Sequence, residues 1–359
     1  MMEYKVYKWS DVLTIINGRN QNAVECEDGE YPIYGSGGVM GKANDYLCPP
    51  NCTIIGRKGN INKPIYVETK FWNVDTAFGL SANEEILNPR YLYYFCVDYN
   101  FERHNKAVTI PSLTKADLLK IEMCLPPLDK QKSIVGELDK INELISLKKE
   151  QLKDYDNLAQ SIFYEMFGDP VVNEKGWIVK TIGDVCSLKS GDSKANKSPK
   201  GTLPYVKVGD MNLPGNENYI TCSSTYVDRD YNKRGIFPIG SILFPKRGGA
   251  ILTNKKRMAA VEICCDLNTM GVIPSEVLNK HYLFQWFKIL DLGTICSGST
   301  ILQLNNCDIA PLLIQIPPLT LQQTFAKRIE LIEQQKAEIQ STIADLETLL
   351  ASRMQYWFD

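Results

Sequence analysis

Apolar residues recur at alternating spacings of three and four in two long segments of the chain. The first seam contains Ile134, Leu138, Ile141, Ile145 and Leu152, and the second contains Ile329, Ile332, Ile339, Ile343 and Leu346. A 3.5-residue repeat held over several heptads is typical of a coiled-coil seam. The pattern therefore predicts two long helices, each about 60 Å long, that pair with each other as an antiparallel coiled coil.

The second half of the chain repeats the first at an offset of 191 residues. The pattern T-x3-L-x3-D-x8-P-P-L-x2-Q runs from Thr109 to Gln131 and again from Thr300 to Gln322. Every seam position of the first helix maps onto the second helix at the same offset. The repeat predicts two similar units in tandem with a pseudo-twofold internal symmetry.

The predicted organisation has four segments. Residues 1–126 form the first globular unit, 127–168 the first long helix, 169–317 the second globular unit, and 318–359 the second long helix. Short apolar runs before Gly56 and before Pro245 predict buried strands, and the aromatic segments after Asn88 and Asn279 predict a packed helix. Each globular unit is therefore expected to be α/β (α+β).

The two copies differ mainly in one region. The second carries about 17 extra residues between the strands near Pro204 and Ser241. Shared frames with different loops are expected if the two units read different ligands.

Composition narrows the class of protein. Hydrophobic residues make up 44% and charged residues 23% of the chain, as in soluble globular proteins. No run approaches the ~20 apolar residues of a membrane span, and no export signal is seen, so we expect a cytoplasmic protein. The eleven cysteines and two histidines show no paired metal spacing, which predicts buried thiols in a reducing compartment and no metal site.

Two aligned basic glycine loops are the best candidates for ligand contact. Their polar residues are Arg57, Lys58, Asn60, Asn62 and Lys63 in the first copy, and Lys246, Arg247, Lys255, Lys256 and Arg257 in the second. Glycine lets the backbone approach a phosphate closely, while Arg can pair with guanine and Asn with adenine. We expect DNA contact here, although the net charge of −2 argues mildly against a free-standing DNA binder. A solvated turn after a strand is the alternative.

A second pair of loops precedes the shared Leu-x3-Asp element. Their candidate DNA contacts are Arg103, Asn105, Lys106 and Thr109 in the first copy, and Ser299 and Thr300 in the second. Lys194 and Lys197 lie in a polar stretch and either track phosphates or belong to a flexible surface loop.

Motifs for catalysis are missing from the sequence. It contains no Asn/Asp-Pro-Pro-Tyr/Phe motif of an amino-methyltransferase, no glycine-rich cofactor fingerprint after a strand, and no GxxxxGK[ST] phosphate loop. We therefore expect no catalytic residues and no cofactor in this chain.

The chain resembles a type I restriction-modification specificity (S) subunit. The resemblance rests on the Leu-Pro-Pro-Leu-x2-Gln segment from Leu125, its copy from Ile316, the Met166–Pro170 linker, and the Trp177 to Val185 opening of the second unit. It implies two target-recognition domains, each reading part of a split DNA site, and a non-catalytic subunit.

The resemblance also implies partners. Two methyltransferase subunits would use S-adenosylmethionine to methylate adenine N6, and motor-nuclease subunits using ATP and magnesium would join for cleavage. Two alternatives remain: a specificity subunit of another restriction class, and a coiled-coil scaffold that binds protein. The scaffold predicts no salt-dependent DNA affinity even with partners present.

The regular seam allows a test of whether the helices set the distance between the two half-sites. One heptad inserted after Lys149 and another after Gln340 lengthens each helix by about 10 Å, or about 3 base pairs of DNA at 3.4 Å each. We expect the complex to prefer a longer spacer or to bind poorly, with unchanged half-site bases. Sequencing of methylated sites checks this, and new half-site bases with the old spacer would contradict it.

Overall fold

A computed structural model describes residues 4–105, 110–192, 201–229, 235–298 and 301–358. The chain divides into two compact units: Met1–Glu150 with Gln340–Asp359, and Gln151–Ile339. Each unit therefore contains one globular part and a section of both long helices.

The first unit combines small sheets with short helices. Its strands are β1 (Lys5–Lys8), β2 (Leu13–Asn17), β3 (Tyr31–Gly35), β4 (Gly38–Ala43), β5 (Cys52–Gly56), β6 (Ile65–Val67), β7 (Trp72–Asn73), β8 (Ala77–Ala82) and β9 (Glu122–Leu125). Its helices are α1 (Trp9–Val12), α2 (Pro89–Asp98), α3 (Lys115–Leu118) and the first part of α4 (Leu128–Phe167), with a 3-10 turn at Phe101–His104. The described strands form sheets in the orders β2-β8-β5-β6 and β4-β3-β7, and an antiparallel ribbon β1-β9.

The second unit repeats this plan. Its strands are β10 (Ile178–Thr181), β11 (Cys186–Ser190), β12 (Leu203–Val206), β13 (Tyr219–Ile220), β14 (Tyr226–Val227), β15 (Ile236–Phe237), β16 (Ile242–Pro245), β17 (Arg257–Ala259), β18 (Ile263–Cys265), β19 (Thr269–Pro274) and β20 (Leu313–Ile316). Its helices are α5 (Ile182–Val185), α6 (Lys280–Ile289), α7 (Leu292–Ile295), α8 (Asn306–Ile309) and the first part of α9 (Leu319–Phe358), with 3-10 helices at Val208–Asn212 and Gly248–Thr253. The sheet orders are β11-β19-β16-β17-β13, β14-β12-β18-β15 and β10-β20.

The two units share register as well as element order. In each, the first strand pairs antiparallel with the strand before a long helix, as β1 with β9 and β10 with β20. A parallel pair recurs too, β3 with β7 and β12 with β18. The extra residues predicted for the second copy form the 3-10 helix at Val208–Asn212 and strand β13. The predicted tandem α/β architecture is thus confirmed.

The aromatic helices α2 and α6 lie at the centre of each core. Asn88 caps α2 by accepting hydrogen bonds from the amides of Arg90 and Tyr91, and Asn279 caps α6 in the same way through the His281 amide. A capping Asn satisfies amides that the first helical turn leaves unpaired. The aromatic face behind each cap is buried in the main cluster of its unit.

The long helices pair antiparallel within each unit. In the first unit, Glu137 of α4 bonds Arg353 of α9 at 3.0 Å, and Lys149, further along α4, pairs with Glu347 at 2.8 Å. Partner numbers fall as α4 numbers rise. In the second unit Phe325 of α9 contacts Phe163 and Phe167 of α4, with ring centroids 5.7 and 5.2 Å apart.

The predicted seam is confirmed by burial. Eight of its apolar members are buried: Ile134, Leu138, Ile141, Ile145, Ile329, Ile332, Ile339 and Ile343. Leu152 and Leu346 are half-buried.

One seam position carries a charge. Lys336 occupies the position of Ile145 in the first copy, and it is only 4% exposed. Its ammonium lies 2.8 Å from Asp156 Oδ1 on α4 and 3.5 Å from Glu333 Oε1 on its own helix. A buried ammonium is stable only when it is paired, so Asp156 is needed here although its own side chain is half-exposed.

We predict an asymmetric response when this pair is broken. Asp156→Ala should lower the free energy of unfolding by about 1–3 kcal/mol, because it leaves a buried ammonium poorly paired. Lys336→Ile, which restores the residue of the first copy, should cost little or stabilise. Urea unfolding measures both, with Asp154→Ala as an exposed control on α4. Equal, small effects of the two Asp variants would contradict the role of Asp156.

Candidate nucleic-acid interface

Each basic loop starts directly after the last residue of a fully buried strand. Strand β5 is buried along its whole length and leads directly into Arg57. Strand β16 is equally buried and leads into Lys246. The amide of Arg57 donates to Thr76 O, and that of Lys246 to Asn268 O, both at 2.8 Å. The strands therefore fix where each basic pair emerges.

In the first unit, the basic glycine loop pairs with residues 111–113, which follow the second predicted loop. The Leu113 amide donates to Arg57 O at 2.9 Å, and the Gly59 amide donates to Pro111 O at 3.1 Å. An antiparallel bridge joins Lys58 to Ser112 between these bonds. Loops that are separate in sequence thus form one surface.

The second unit makes the same connections at equivalent positions. The Leu304 amide donates to Lys246 O at 2.9 Å, and the Gly248 amide to Leu302 O at 2.8 Å. Arg247 and Gln303 form the bridge between them. The shared backbone geometry shows that the two loop pairs are structural counterparts.

The glycine after each basic pair adopts a backbone conformation that favours glycine. Gly59 has φ of 78° and Gly248 has φ of 68°, both in the left-handed region. A side chain there costs about 1–2 kcal/mol, and each glycine has open space where a Cβ would stand. The space beside the Cα atoms of Gly59 and Gly248 is therefore open.

The side chains of the first surface divide into exposed and anchoring groups. Lys58, Asn60, Lys63 and Arg103 are exposed. Arg57 is half-buried, with its guanidinium 5.7 Å from the centre of the Phe78 ring.

Two predicted contacts support the loops themselves. Asn62 Oδ1 accepts from the Phe101 amide at 2.8 Å, and Asn105 Oδ1 accepts from the Ser112 amide at 3.0 Å. These amide side chains hold the two predicted loops in place.

The turn between β3 and β4 was not among the predicted contacts. A Cβ built on Gly37 would lie 3.9 Å from Asn60 Nδ2, so this turn sits beside the basic loop. Val39 and Met40 follow the turn and are largely exposed. The run Gly35-Ser36-Gly37-Gly38 indicates a tight turn in the sequence, but nothing in it indicates that Asn60 lies beside this turn.

In the second unit, the basic pair has two different environments. Arg247 is exposed. Lys246 is half-buried and its ammonium lies 2.9 Å from Ser190 Oγ. Burial, and then the neighbouring Arg247 charge, lower the pKa of Lys246.

Two further basic residues of this unit hold the inserted segment, the 3-10 helix at Val208–Asn212, and a third is buried elsewhere. Lys255 bonds the Asn212 side chain, and Arg257 Nη2 donates to Met211 O at 3.1 Å. Lys256 is 4% exposed, and its ammonium donates to Asn254 Oδ1 at 2.7 Å and to Leu290 O. The expectation that Lys256 contacts DNA is corrected, because folding places its ammonium in the interior.

Several predicted contacts lie outside the described residues. They are Lys106, Thr109, Lys194, Lys197, Ser299 and Thr300. Across the ranges that the structure does describe, no group of three His, Cys, Asp or Glu residues is arranged to hold a metal ion. No helix in those ranges is both long and apolar enough to cross a membrane.

Comparison with known proteins points to one family. A family model described as "Type I restriction modification DNA specificity domain" matches residues 1–154 and again 174–348. The chain is 26% identical over 272 residues to the Type I restriction enzyme MjaIX specificity subunit of Methanocaldococcus jannaschii. That alignment covers 67% of this chain and 61% of the archaeal protein.

Solved structures share the fold. The S subunit of a Type-I restriction-modification system from M. genitalium has a TM-score of 0.60 at 12% identity, covering 100% of this chain and 96% of that one. A chain from work on complex assembly and conformational transition of the type I R-M system has a TM-score of 0.59 at 16% identity, covering 98% and 97%.

The interior position of Lys256 predicts a pH-dependent stability. Burial lowers the pKa of Lys256 to about 8, against about 10.4 in an unfolded chain. Between these values the unfolded state binds more protons, so stability rises with pH. From pH 7.5 to 9.5 the wild type should gain about 1–2 kcal/mol relative to Lys256→Met, as measured by urea unfolding. A difference that is independent of pH would place the ammonium in solvent.

Proposed function

Because the chain belongs to the type I restriction modification DNA specificity family, we propose that it is a specificity subunit that reads a bipartite, asymmetric DNA site. The observation that carries the proposal is the pair of equivalent basic surfaces, each made from two loops joined by the same backbone hydrogen bonds. Two such surfaces in one chain suit a ligand with two separate recognition sites, as in duplex DNA.

The chemistry of the first surface suits contact with both phosphates and bases. Lys58, Lys63 and Arg103 are exposed cations that can neutralise phosphates, which supplies most of the salt-dependent affinity. Asn60 is exposed beside the open space at Gly59, and an Asn side chain can pair bidentately with adenine. On the second surface, Arg247 is the exposed group suited to guanine or phosphate.

The two half-sites should differ in sequence. The first surface is bordered by the β3–β4 turn, whereas the second unit carries the inserted segment held by Lys255 and Arg257. Equivalent frames with different borders present different groups to DNA. The target is therefore split and non-palindromic, with half-site centres about one helical turn, or roughly 10 base pairs, apart.

The chain contributes recognition, and its partners contribute chemistry. Two methyltransferase subunits would supply S-adenosylmethionine and adenine methylation, and restriction subunits would supply ATP- and magnesium-dependent cleavage. A structural neighbour comes from work on complex assembly of the type I R-M system, which fits a chain that acts within a complex. It also accommodates the net charge of −2, since partners can provide positive charge around the DNA.

Two double variants separate the half-sites. Arg57→Ala with Lys58→Ala should weaken recognition of one half-site, and Lys246→Ala with Arg247→Ala only the other. A lost base contact should cost about 1–3 kcal/mol and relax one position, while a lost phosphate contact should weaken binding uniformly. Binding to DNA with one half-site scrambled at a time, in complex with a cognate methyltransferase, measures this.

The control is Lys180→Ala with Lys175→Ala, a change of two lysines far in sequence from the loops. Methylome sequencing of a host that carries the chain and its methyltransferase gives the wild-type motif. A palindromic or continuous motif, methyl transfer by the isolated chain, or unchanged binding by both double variants would each contradict the proposal.

A further inference from the structure

Two buried glutamines occupy the same place at the start of the two long helices. Gln131 lies in the first turn of α4 and Gln322 in the first turn of α9, and both are completely buried. A buried amide side chain is costly unless its donors and acceptor are all paired. Their contacts therefore define what they do.

In the first unit, the Gln131 side chain joins three points of the main chain. Its Nε2 donates to Ile86 O and to Pro126 O, both at 2.9 Å. Its Oε1 accepts from the Asn88 amide at 2.8 Å. One side chain thus connects the start of α4, the strand end before it, and the cap of α2.

In the second unit, Gln322 makes the same three bonds at positions 191 residues later. Its Nε2 donates to Val277 O at 3.1 Å and to Pro317 O at 2.9 Å. Its Oε1 accepts from the Asn279 amide at 2.7 Å. We call these two sets of bonds the glutamine joints.

A second contact ties the same helices together further along. Arg90 of α2 pairs with Asp139 of α4 at 3.1 Å. At the equivalent positions His281 of α6 lies 3.6 Å from Glu330 of α9. Eight residues separate the Gln from the acid in each long helix, which is about 12 Å. The start of each short helix therefore contacts its long helix at two separate points.

The short helices in turn support the recognition loops. In the second unit, Phe287 of α6 stacks on Phe244 of β16 with ring centroids 5.7 Å apart, and Lys246 follows two residues later. In the first unit, Ile55 of β5 packs in the same core cluster as Tyr91 and Phe95 of α2. Each joint is therefore connected to its recognition loop through one helix and one strand.

We propose that Gln131 and Gln322 are positioning residues that make the complex selective for the spacer between half-sites. The inference rests on the proposed function. A recognition surface held rigidly on its long helix tolerates only one rotational setting of its half-site. One extra base pair rotates that half-site by about 35° around the DNA axis. A loosened joint lets the surface follow the rotation without changing the bases it reads.

The test uses Gln131→Met and Gln322→Met, which keep side-chain length but remove all three bonds. The protein is assayed in complex with its methyltransferase on DNA carrying both half-sites and spacers of the native length, one base pair shorter and one longer. We expect discrimination against the wrong spacers to fall about threefold to tenfold, the equivalent of one hydrogen bond. The half-site bases should not change.

Further variants serve as controls that distinguish a loosened joint from misfolding. Gln131→Glu and Gln322→Glu, when protonated, keep the bond from the cap amide and one of the two donated bonds, so they should give intermediate discrimination. Glu68→Gln changes the exposed second partner of Arg90 and should leave discrimination as in wild type. Ile134→Val is a buried change on α4 that spares the glutamine joint. It should lower the melting temperature and leave spacer discrimination as in wild type.

The outcomes separate two failures. The inference is overturned if the glutamine variants melt at a lower temperature but keep wild-type spacer discrimination. It is also overturned if Ile134→Val lowers spacer discrimination as much as the glutamine variants do, because the glutamines are then merely structural. A wild-type chain without a split methylated motif overturns the proposed function and this inference with it. Loosened spacing with unchanged half-site bases supports both.

Discussion

The glutamine joint is the constraint on which each unit depends. A long helix that begins after two prolines leaves nearby carbonyls and a cap amide buried, and each of these needs a partner. One glutamine satisfies three of them, at 2.7–3.1 Å, in both units. These bonds attach the cap of the aromatic helix to the long helix, and the aromatic helix packs on the strand that leads into the basic loop.

The polar pairs near the glutamine joint differ between the two units. The first unit links its short and long helices by an Arg–Asp pair, and the second has a His–Glu pair at the same place. Between the long helices, the first unit uses Lys149 with Glu347, and the second uses the buried Lys336 with Asp156. The backbone frame is conserved between copies because it depends on main-chain bonds, while the side chains that surround it are free to differ.

The sequence by itself determined the architecture. The seam spacing places apolar residues on one helical face, and water exclusion alone then buries Ile134, Leu138 and their counterparts. Repetition of the Pro-Pro-Leu-x2-Gln pattern with a constant offset required two equivalent units. The basic pairs before glycine indicated the two loops that follow buried strands, since a left-handed turn after a strand is a local property of the chain; their contact with DNA stays a prediction. These features depend on neighbours in sequence, which a single chain displays.

Only the tertiary structure decided which polar groups remain available to a ligand. Lys255, Lys256 and Arg257 form a basic run in sequence, yet they bind the inserted segment and the end of α6, and Lys256 is buried. The turn at Gly37 joins the first surface although it is distant from Asn60 in sequence. Gln131 and Gln322 were visible as a repeated letter, but their three bonds were not. Hydrogen-bond partners and burial depend on groups brought together by folding, and composition and spacing do not specify them.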